Sequence, residues 1–418
     1  MQPTSIGQPG WTCALKCRVC GEALGDPVMC YPPMPLANVY VPCGQAHLQE
    51  QLFPLSLSLC AHCGLVQLCE TVDREQLFGR YPYLTGASAP LRAHFAGLAT
   101  QIGREARLAR GSLVVDIGSN DGTLLGHFMD QGMRVLGVDP AGNAVEQARV
   151  CQVETERAFF GRDLAVQLRK RVGTAKAITA TNVLAHVADL HDFIEGVLEL
   201  LDADGVFVVE VPYLGNLVEG VLFDTVYHEH LCYFSLHPLC LLFRQHDLSV
   251  TRVEQMPVHG GSLRLFLRRG GMGGPASLTK LLEEEQSRGL LRAQTYERFW
   301  REATALRSRL RGLLDGLKQR GAVIAGYGAP AKGNVLLNFC SIGPDTVEYL
   351  VDTTPFKQGT LAPGSHIPIF EESHFRKHPP DYALILPWNY AEHIVQKERA
   401  YRESGGKFIV PIPAPAVI

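Results

Sequence analysis

The stretch that decides the fold is Ser112–Gly132, SLVVDIGSNDGTLLGHFMDQG. An apolar run that reads as a strand passes through a glycine-rich turn into a segment with helical periodicity. The alternation then recurs in further apolar runs that read as strands: RVLGVDP (Arg134–Pro140), AKAITATNVLA (Ala175–Ala185) and GVFVVEVP (Gly205–Pro212), followed by a closing pair, SVTRVEQMPV (Ser249–Val258) and SLRLFLRR (Ser262–Arg269). Strands that alternate with helices predict an α/β fold, in which a parallel sheet is covered by helices on both faces.

A second, smaller α/β unit is predicted in the C-terminal part of the chain. The charged run 277–321 has the period of a helix and is expected to carry the chain away from the first sheet. The pattern of strand and helix then restarts in AVIAGYGAPAKGNVLLNF (Ala322–Phe339), VEYLVDTTP (Val347–Pro355), YALILPWN (Tyr382–Asn389) and KFIVPIP (Lys407–Pro413).

The composition favours a cytoplasmic enzyme. The chain has 418 residues, a hydrophobic content of 46% and a net charge of -3, which predicts two or three packed domains and no general attraction to nucleic acid or anionic membranes. Its apolar runs are shorter than the ~20 residues of a spanning helix. The N-terminal run lacks a basic start followed by an apolar core, so we expect no signal peptide.

The cysteines are concentrated in the N-terminal region. Two Cys-x-x-Cys pairs, CRVCG (Cys17–Gly21) and CAHCG (Cys60–Gly64), each end in glycine. Such turns let two thiolates converge on one ion, and two turns complete a tetrahedron. Because four thiolates leave no open position, we predict a structural zinc site at Cys17, Cys20, Cys60 and Cys63. The alternatives are unligated thiols, or a quartet that includes Cys13, Cys30, Cys43 or Cys69.

The glycine-rich turn Gly118–Gly122 lies where a parallel sheet binds ligands, at the carboxyl end of a strand. It lacks the second glycine of the dinucleotide fingerprint, and Asp116 and Asp121 would repel a pyrophosphate. A cationic ligand without phosphate, such as S-adenosylmethionine, tolerates both acids, and Asp139 after the next strand lies where an acid meets ribose hydroxyls. The residues predicted to bind this cofactor are Asp116, Gly118, Asn120, Asp121, Asp139 and Asn182.

A second glycine-rich turn, GYGAPAKGN (Gly326–Asn334), follows a strand, opens a helix and carries a lysine. Backbone amides at a helix N-terminus, together with a lysine, suit phosphate or diphosphate. We therefore assign Tyr327, Lys332 and Asn334 to substrate binding. A structural turn with a surface lysine is the alternative.

The stretch DTVYHEHLCYFS (Asp224–Ser235) is compatible with a metal site, a proton-transfer site or a polar loop. His228 and His230 lack the His-x-x-x-His spacing of helical zinc sites, and the cysteines offer a better metal site. Imidazole titrates near neutral pH, which suits proton transfer. We interpret His228 as a hydrogen-bonded loop residue. For His186, a satisfied core histidine is the alternative to an active-site role.

Taken together, these motifs resemble the S-adenosylmethionine-dependent sugar C-methyltransferases that act on nucleotide-linked deoxysugars. The resemblance covers nearly the whole chain, from about Cys17 to Pro413, in the same order. Besides the paired cysteine turns it rests on CGLVQ, YPYLTG, VVDIGSNDGTLL, TNVLAHVADLHDF, YHEHLCYFS, HGGSLRLFL, GYGAPAKGNVLLNF, VDTTPFKQGTLAPGSHIPI and LILPWNYAEHI.

The resemblance implies a zinc-binding domain over residues 1–75, a Rossmann-like class I methyltransferase domain over 76–272 and a substrate-binding α/β domain over 273–418. It also implies methyl transfer to C3 of a dTDP-linked 4-keto-deoxysugar, with zinc and S-adenosylmethionine as cofactors. The proton-abstracting base of such enzymes corresponds to His230. Supporting positions correspond to Tyr227, Glu229 and His186, and to a tyrosine of YPYLTG, for which we favour Tyr83 over Tyr81.

Three other functions are compatible with the sequence. One is methylation of a different ketone-bearing substrate, and another is NAD chemistry in the C-terminal unit. The third is a zinc-containing binding protein whose methyltransferase fold has lost its activity.

Overall fold

The structure is a computed structural model that describes residues 10–45, 49–79, 81–82, 84–271 and 273–418. None of the helices in these ranges combines the length and the apolar character needed to cross a membrane. The chain divides into two compact units. The first unit consists of the segment ending at Asp26 together with Ser58–Leu214 and Glu229–Leu291, and the second of Pro27–Leu57, Gly215–His228 and Arg292–Ile418.

The N-terminal region forms short strands and one short helix. Their bounds are β1 (Trp11–Cys13), β2 (Met29–Met34), β3 (Val41–Pro42), β4 (Phe53–Leu59), β5 (Val66–Leu68), β6 (Glu70–Val72) and α1 (Arg74–Phe78).

The central region alternates helices and strands. Their bounds are α2 (Ala89–Glu105), β7 (Leu113–Ile117), α3 (Thr123–Asp130), β8 (Arg134–Val138), α4 (Gly142–Val150), β9 (Thr155–Glu156), α5 (Arg162–Val172), β10 (Ala175–Thr181), α6 (Leu190–Leu200), β11 (Leu201–Pro212), α7 (Leu214–Glu219), β12 (Cys232–Tyr233), α8 (Leu236–Gln245), β13 (Leu248–Met256) and β14 (Ser262–Arg269).

The C-terminal region begins with two helices and continues as a second alternation. The bounds are α9 (Ala276–Ser287), α10 (Ala293–Gln319), β15 (Ile324–Tyr327), α11 (Ala331–Phe339), β16 (Leu350–Val351), β17 (Thr360–Leu361), β18 (Ile369–Phe370), α12 (Glu372–Lys377), β19 (Tyr382–Ile385), α13 (Ala391–Lys397), α14 (Arg399–Glu403), β20 (Lys407–Val410) and β21 (Ala416–Val417).

The first unit is built on a sheet with the strand order β13-β14-β11-β10-β7-β8-β9. Its strands from β7 to β11 run parallel, whereas β14 and β13 complete the sheet antiparallel. All of β7 is buried, as expected of a strand covered on both faces. Because β8 and β10 lie on opposite sides of β7, the strand order reverses there, which is where open α/β sheets bind ligands.

Helices α2 and α3 pack against this sheet in one buried cluster. Phe95, Leu98 and Ile102 recur along α2 with the spacing of one helical face, and they pack in the same buried cluster as Leu125 and Phe128 of α3. Burying a side chain of this size contributes about 1.5–3 kcal/mol. This packing places the segment that precedes α2 next to the turn that precedes α3.

The second unit contains a smaller sheet with the order β18-β16-β15-β19-β20-β21. Its strands are parallel except for β21, which pairs antiparallel with β20. Since β16 and β19 flank β15, the order reverses between β15 and β19. The carboxyl ends of these two strands are therefore the expected ligand edge of this unit.

Short antiparallel pairs add the remaining strands to their units. In the first unit β1 pairs with β6 and β5 pairs with β12. In the second unit β3 pairs with β17, and β2 pairs with Phe53–Leu57 of β4.

The predicted α/β fold is confirmed, with its Rossmann-like central sheet and its smaller C-terminal sheet. The predicted closing pair is confirmed as β13 and β14. The single helical run predicted for 277–321 is wrong in one respect, because it is split into α9 and α10 around Gly289, whose φ of +71° does not fit a helix. The predicted domain limits at 75/76 and 272/273 stay a prediction.

Candidate active site and zinc centre

The predicted cofactor residues meet at the carboxyl edge of the central sheet. Ile117, the last residue of β7, pairs with Val138 on one side and with Ala180 on the other. Gly118, Asp139 and Asn182 therefore follow three neighbouring strands at one level. Close approach at this edge demands glycine at 118, since its φ is +69° and an added Cβ would lie 2.2 Å from Cγ2 of Val183.

Asp139 organises the turn. Its Oδ2 accepts a hydrogen bond from the backbone N–H of Asn120 at 2.9 Å, and its Oδ1 accepts one from Ala141 at 2.8 Å. Burial raises the pKa of Asp139, and these two hydrogen bonds oppose that rise. The carboxylate still has acceptor capacity for hydroxyl donors, which is the role predicted for it.

Asp116 lies beneath the turn. It is 2% exposed, and Thr179 of β10 donates a hydrogen bond to its Oδ1 at 2.6 Å. Burial raises the pKa of Asp116 to about 7, against the lowering effect of the Thr179 hydrogen bond. The structure therefore places this predicted cofactor residue inside β7, bonded to the neighbouring strand β10, rather than on the surface of the turn.

The side chains of Asn120 and Asp121 hold the segment that contains YPYLTG. The backbone N–H of Thr85 donates to Oδ1 of Asn120 at 2.9 Å, and that of Gly86 donates to Oδ2 of Asp121 at 2.7 Å. Both predicted cofactor residues thus fasten this segment to the edge of the turn.

The other end of the same segment is fastened by Asn143, which sequence reasoning missed. Its side-chain amide exchanges two hydrogen bonds with the backbone of Tyr81, at 2.7 and 3.1 Å. The available signal was an asparagine in the first turn of the helix that follows Asp139.

This edge fits S-adenosylmethionine. The backbone cradle at Gly118 would be filled by a Cβ, and the buried hydroxyl of Ser119 has no hydrogen-bond partner among the described residues. The acids Asp121 and Asp139 would repel a diphosphate but suit a sulfonium cation. The donor set therefore matches the predicted cofactor.

The histidines predicted for catalysis come together in the first unit. The ring centroids of His186 and His230 are 5.0 Å apart, with the rings nearly perpendicular at 75°. Burial, with the neighbouring His230 as a second cause, holds the pKa of His186 well below its ordinary value of 6.5. His186 is therefore neutral near pH 7, and one of its nitrogens carries a proton that it can donate.

Further aromatic rings lie next to His186 and His230. Phe78 lies 5.3 Å from His186 and 6.0 Å from Tyr81, and Tyr233 lies 6.3 Å from His230, measured between ring centroids. Phe78 was not predicted, and its position at the end of α1 offered no chemical signal. Tyr83, the tyrosine favoured from the sequence, lies outside the described residues.

The remaining predicted catalytic residues are divided between the units. Glu229 is 2% exposed and belongs to the first unit, as His230 does, whereas Tyr227 belongs to the second.

His228 has the geometry of a buried loop residue. Its Nε2 lies 3.1 Å from the carbonyl oxygen of Pro54, and its ring packs against Phe53. Burial lowers the pKa of His228 to about 4. The side chain is therefore neutral, and its Nε2–H donates to the carbonyl.

In the second unit Lys332 lies in the first turn of α11. Its Nζ lies 4.1 Å from the ring centroid of Trp388 and donates to Oδ1 of Asn389. Burial lowers the pKa of Lys332 to about 8, against the opposing charge of Asp224. Because Trp388 and Asn389 follow β19, this lysine lies at the point where the strand order reverses.

Asp224 and Trp388 form a buried pair that sequence reasoning did not assign. The indole Nε1 of Trp388 donates to Oδ2 of Asp224 at 2.6 Å, and in the part of the chain that the structure describes Oδ1 of Asp224 has no hydrogen-bond partner. Burial raises the pKa of Asp224 to about 6. The available signal was that Trp388 lies in a motif that carries the family resemblance, LILPWNYAEHI, and that Asp224 lies three residues before another, YHEHLCYFS.

The other predicted substrate residues are engaged within the second unit. The Tyr327 hydroxyl lies 2.9 Å from Glu398 and 3.0 Å from Glu372, so its proton is shared between carboxylates. Asn334 is fully buried and donates to the carbonyl of Ala37 at 2.8 Å. Of the three predicted residues, Lys332 alone is brought to Trp388 in the described structure.

Asp352, after β16, stands where an acid would meet the ribose of a dinucleotide. Its Oδ2 instead accepts from the backbone N–H of Ala329 at 2.7 Å and lies 3.4 Å from Nζ of Lys357. An acid already paired with a lysine does not favour the NAD alternative.

The cysteine turns converge as predicted. The Sγ atoms of Cys17, Cys20, Cys60 and Cys63 all lie within 4.8 Å of one another, with separations of 3.5 Å for Cys17–Cys63 and 3.4 Å for Cys20–Cys60. Four thiolates at about 2.3 Å from a zinc ion would be ~3.8 Å apart, so the quartet fits a closed structural site. Within the described residues, this is the cluster of His, Cys, Asp and Glu side chains able to hold a metal.

The two turns have the same backbone. The N–H of Gly21 donates to the carbonyl of Cys17 and the N–H of Gly64 to that of Cys60, each at 2.9 Å. Both glycines have positive φ, +75° and +77°. The predicted role of glycine after each pair is confirmed.

Comparisons with known proteins show the family of this chain. Family models match along the chain: "Putative zinc binding domain" at residues 17–78, "Methyltransferase domain" at 92–253 and "C-methyltransferase C-terminal domain" at 257–413. The chain is 39% identical over 405 residues to the C-methyltransferase NovU of Streptomyces niveus, which covers 96% of both chains.

Solved methyltransferases resemble parts of the chain. The magnesium protoporphyrin IX methyltransferase of Synechocystis PCC 6803, solved with bound S-adenosylmethionine, shares 16% identity with a TM-score of 0.33 over 43% of this chain and 79% of its own. An S-adenosylmethionine-dependent methyltransferase from Clostridium acetobutylicum ATCC 824 shares 12% with a TM-score of 0.35 over 42% and 91%.

The chain belongs to the zinc-containing, S-adenosylmethionine-dependent C-methyltransferases. The predicted enzyme class and the predicted cofactors, zinc and S-adenosylmethionine, are therefore confirmed. The alternative of a protein without catalytic activity loses its support.

We predict that Gly118→Ala lowers the affinity for S-adenosylmethionine roughly tenfold or more, because a left-handed backbone costs a residue with a Cβ about 1–2 kcal/mol and the added Cβ collides with Val183. Isothermal titration calorimetry measures this affinity. Gly126→Ala on α3 is the control, since its Cβ meets open space. Wild-type affinity in Gly118→Ala would contradict the assigned cradle.

We predict that His228 makes the second unit less stable in acid. Its pKa falls from 6.5 in the unfolded chain to about 4 in the native state, so the unfolded state alone takes up this proton between these values. The contribution is complete above pH 6.5 and is lost as the pH falls toward 4, by about 3 kcal/mol.

The measurement is urea unfolding at several pH values, followed by the fluorescence of Trp300 and Trp388, which lie in the same unit as His228. His228→Gln should flatten the dependence, whereas the exposed control His393→Gln should leave it unchanged. A profile unaffected by His228→Gln would refute the prediction.

Proposed function

We propose that this C-methyltransferase transfers a methyl group from S-adenosylmethionine to C3 of a dTDP-linked 4-keto-deoxysugar, with His230 as the base. The observation that carries the proposal is the packing of His230 against a neutral His186. His186 follows β10 by a few residues, on the edge of the sheet that fits the methyl donor. Membership of the C-methyltransferase family supports carbon as the acceptor atom.

Carbon becomes a nucleophile when it carries negative charge. His230 takes the proton from the carbon beside the ketone, and the C–H electron pair spreads onto the carbonyl oxygen. S-adenosylmethionine supplies an electrophilic methyl group, which the carbanion takes while the sulfonium becomes a neutral thioether. The base ends protonated and returns its proton to water.

Neutral His186 suits the developing oxyanion. A neutral imidazole that donates a hydrogen bond stabilises an enolate oxygen without first giving up its proton. The buried carboxyl of Glu229 is proposed to orient His230, and a tyrosine of YPYLTG to support the same site. For Tyr227, in the second unit, the supporting role stays a prediction. Tyr81 joins this proposal beside Tyr83 because its ring approaches Phe78, which contacts His186.

Lys332 is proposed to bind the diphosphate of the nucleotide sugar. It lies in the first turn of α11, the helix that follows β15, and the N-terminus of a helix favours anions. Trp388 offers a flat face beside it. Tyr327 and Asn334 are proposed to support the binding site through their positions in the same turn.

A different ketone-bearing acceptor is the second candidate, because the base and the donor edge place few demands on the rest of the substrate. A panel of dTDP-4-keto sugars separates the two candidates by product analysis. Absence of product from every sugar would favour the second.

We predict that His230→Ala removes turnover while leaving S-adenosylmethionine binding within about twofold, since His230 is not among the residues of the cofactor turn. The decisive measurement is exchange of the substrate's C3 hydrogen with heavy water in the absence of donor, followed by NMR. His228→Gln is the matched control in the same motif and should retain exchange. Equal exchange in wild type and His230→Ala would exclude His230 as the base.

We predict that Lys332→Met raises KM for the nucleotide sugar about tenfold, the effect of losing ~1.4 kcal/mol, with little change in kcat. In the wild type, kcat/KM should fall above pH 8, because the free enzyme loses the Lys332 proton near that pH. Lys318→Met, which removes a surface ion pair with Glu348, is the control. An unchanged KM in Lys332→Met would refute the diphosphate assignment.

A further inference from the structure

The strand that follows His230 is paired with the strand that follows the second cysteine turn. Cys232 pairs with Gln67 and Tyr233 with Val66, and the N–H of Leu68 donates to the carbonyl of Leu231 at 2.9 Å. The residues immediately after the proposed base are thus hydrogen-bonded to β5, which begins two residues after Gly64.

The side chain of Gln67 is also hydrogen-bonded to the first cysteine turn. Its side chain is fully buried. Its Oε1 accepts from the backbone N–H of Arg18 at 2.8 Å, and its Nε2 donates to the carbonyl of Lys16 at 3.2 Å. These two bonds lie on either side of Cys17, so Gln67 joins the first cysteine turn to the strand that follows His230.

Arg18 adds further hydrogen bonds between the first cysteine turn and strands β5 and β6. Its guanidinium donates to the carbonyl of Leu68 at 2.8 Å and to Oγ1 of Thr71 at 2.7 Å. The first cysteine turn is therefore bonded to β5 through side chains at both Gln67 and Arg18. A buried amide whose donor and acceptor are both satisfied is costly to displace.

We propose that Gln67 is a positioning residue for the base: through its backbone pairing with Cys232 and its side-chain bonds around Cys17, it transmits the geometry of the zinc centre to His230. This rests on the proposed role of His230. The cysteine quartet then acts on catalysis as well as on folding, because a base displaced by about 1 Å can cost 100-fold in rate.

The test uses Gln67→Glu and Gln67→Leu in the full chain. The glutamate keeps an acceptor for the Arg18 N–H and loses the donor to Lys16, whereas leucine loses both. Both variants should lower kcat and the heavy-water exchange of the ketosugar roughly 10- to 100-fold, with KM values and S-adenosylmethionine affinity within about twofold and with the zinc content retained, as measured by mass spectrometry. The expected order is wild type, then Gln67→Glu, then Gln67→Leu.

Ser58→Ala is the matched control. Ser58 is also fully buried beside the cysteine turns and donates to the carbonyl of Gly25 at 3.1 Å, but within the described residues none of its hydrogen bonds reaches β12. It should change stability without changing exchange. Zinc-loaded Gln67→Glu that exchanges at the wild-type rate would overturn the inference, as would a Ser58→Ala variant that slows exchange equally.

A second measurement on the wild-type protein decides the matter if the variants fail to fold or lose zinc. Chelation of zinc should raise amide deuterium uptake in peptides that cover residues 230–233, while β7 stays protected. Unchanged uptake over 230–233 in the zinc-free protein would overturn the inference. Exchange that depends on His230 but not on Gln67 removes only this inference, whereas exchange that is independent of His230 removes the proposed function itself.

Discussion

The methyl-donor edge of the sheet depends on one constraint, the close approach between the backbone of Gly118 and the side chain of Val183. The carboxyl ends of β7, β8 and β10 stop at one level, so that the glycine turn, Asp139 and Asn182 share an edge. A Cβ added at residue 118 would collide with the side chain of Val183. The same edge then fixes His186, which follows β10 by a few residues.

Burial decides the charge state of the groups along this edge. Burial raises the pKa of both Asp116 and Asp139. The hydrogen bond from Thr179 opposes this rise at Asp116, and two backbone N–H groups oppose it at Asp139. His186 loses its positive charge to burial and to the neighbouring His230. A neutral donor beside a base is the combination that enolate chemistry requires.

The zinc centre and the histidine cluster belong to one compact unit and are linked by short strands. The pairing of β5 with β12 leaves few residues between a cysteine turn and His230. Small cysteine-rich regions commonly hold a fold together. Here the hydrogen bonds between β5 and β12 also lie close to His230, the proposed base. The same contacts therefore contribute to the stability of the fold and to the position of the base.

The sequence by itself determined the α/β class, the zinc quartet and the donor turn, because each depends on local spacing: strand periodicity, Cys-x-x-Cys turns and glycine at positive φ. Only the tertiary structure decided which polar side chains form hydrogen bonds with other residues of the chain. The side chains of Asn120 and Asp121 accept hydrogen bonds from the backbone of Thr85 and Gly86. The Tyr327 hydroxyl is hydrogen-bonded to two glutamates, and Trp388 donates to Asp224. These partners are far apart along the chain, and burial, which sets their pKa values, exists only once the chain has packed.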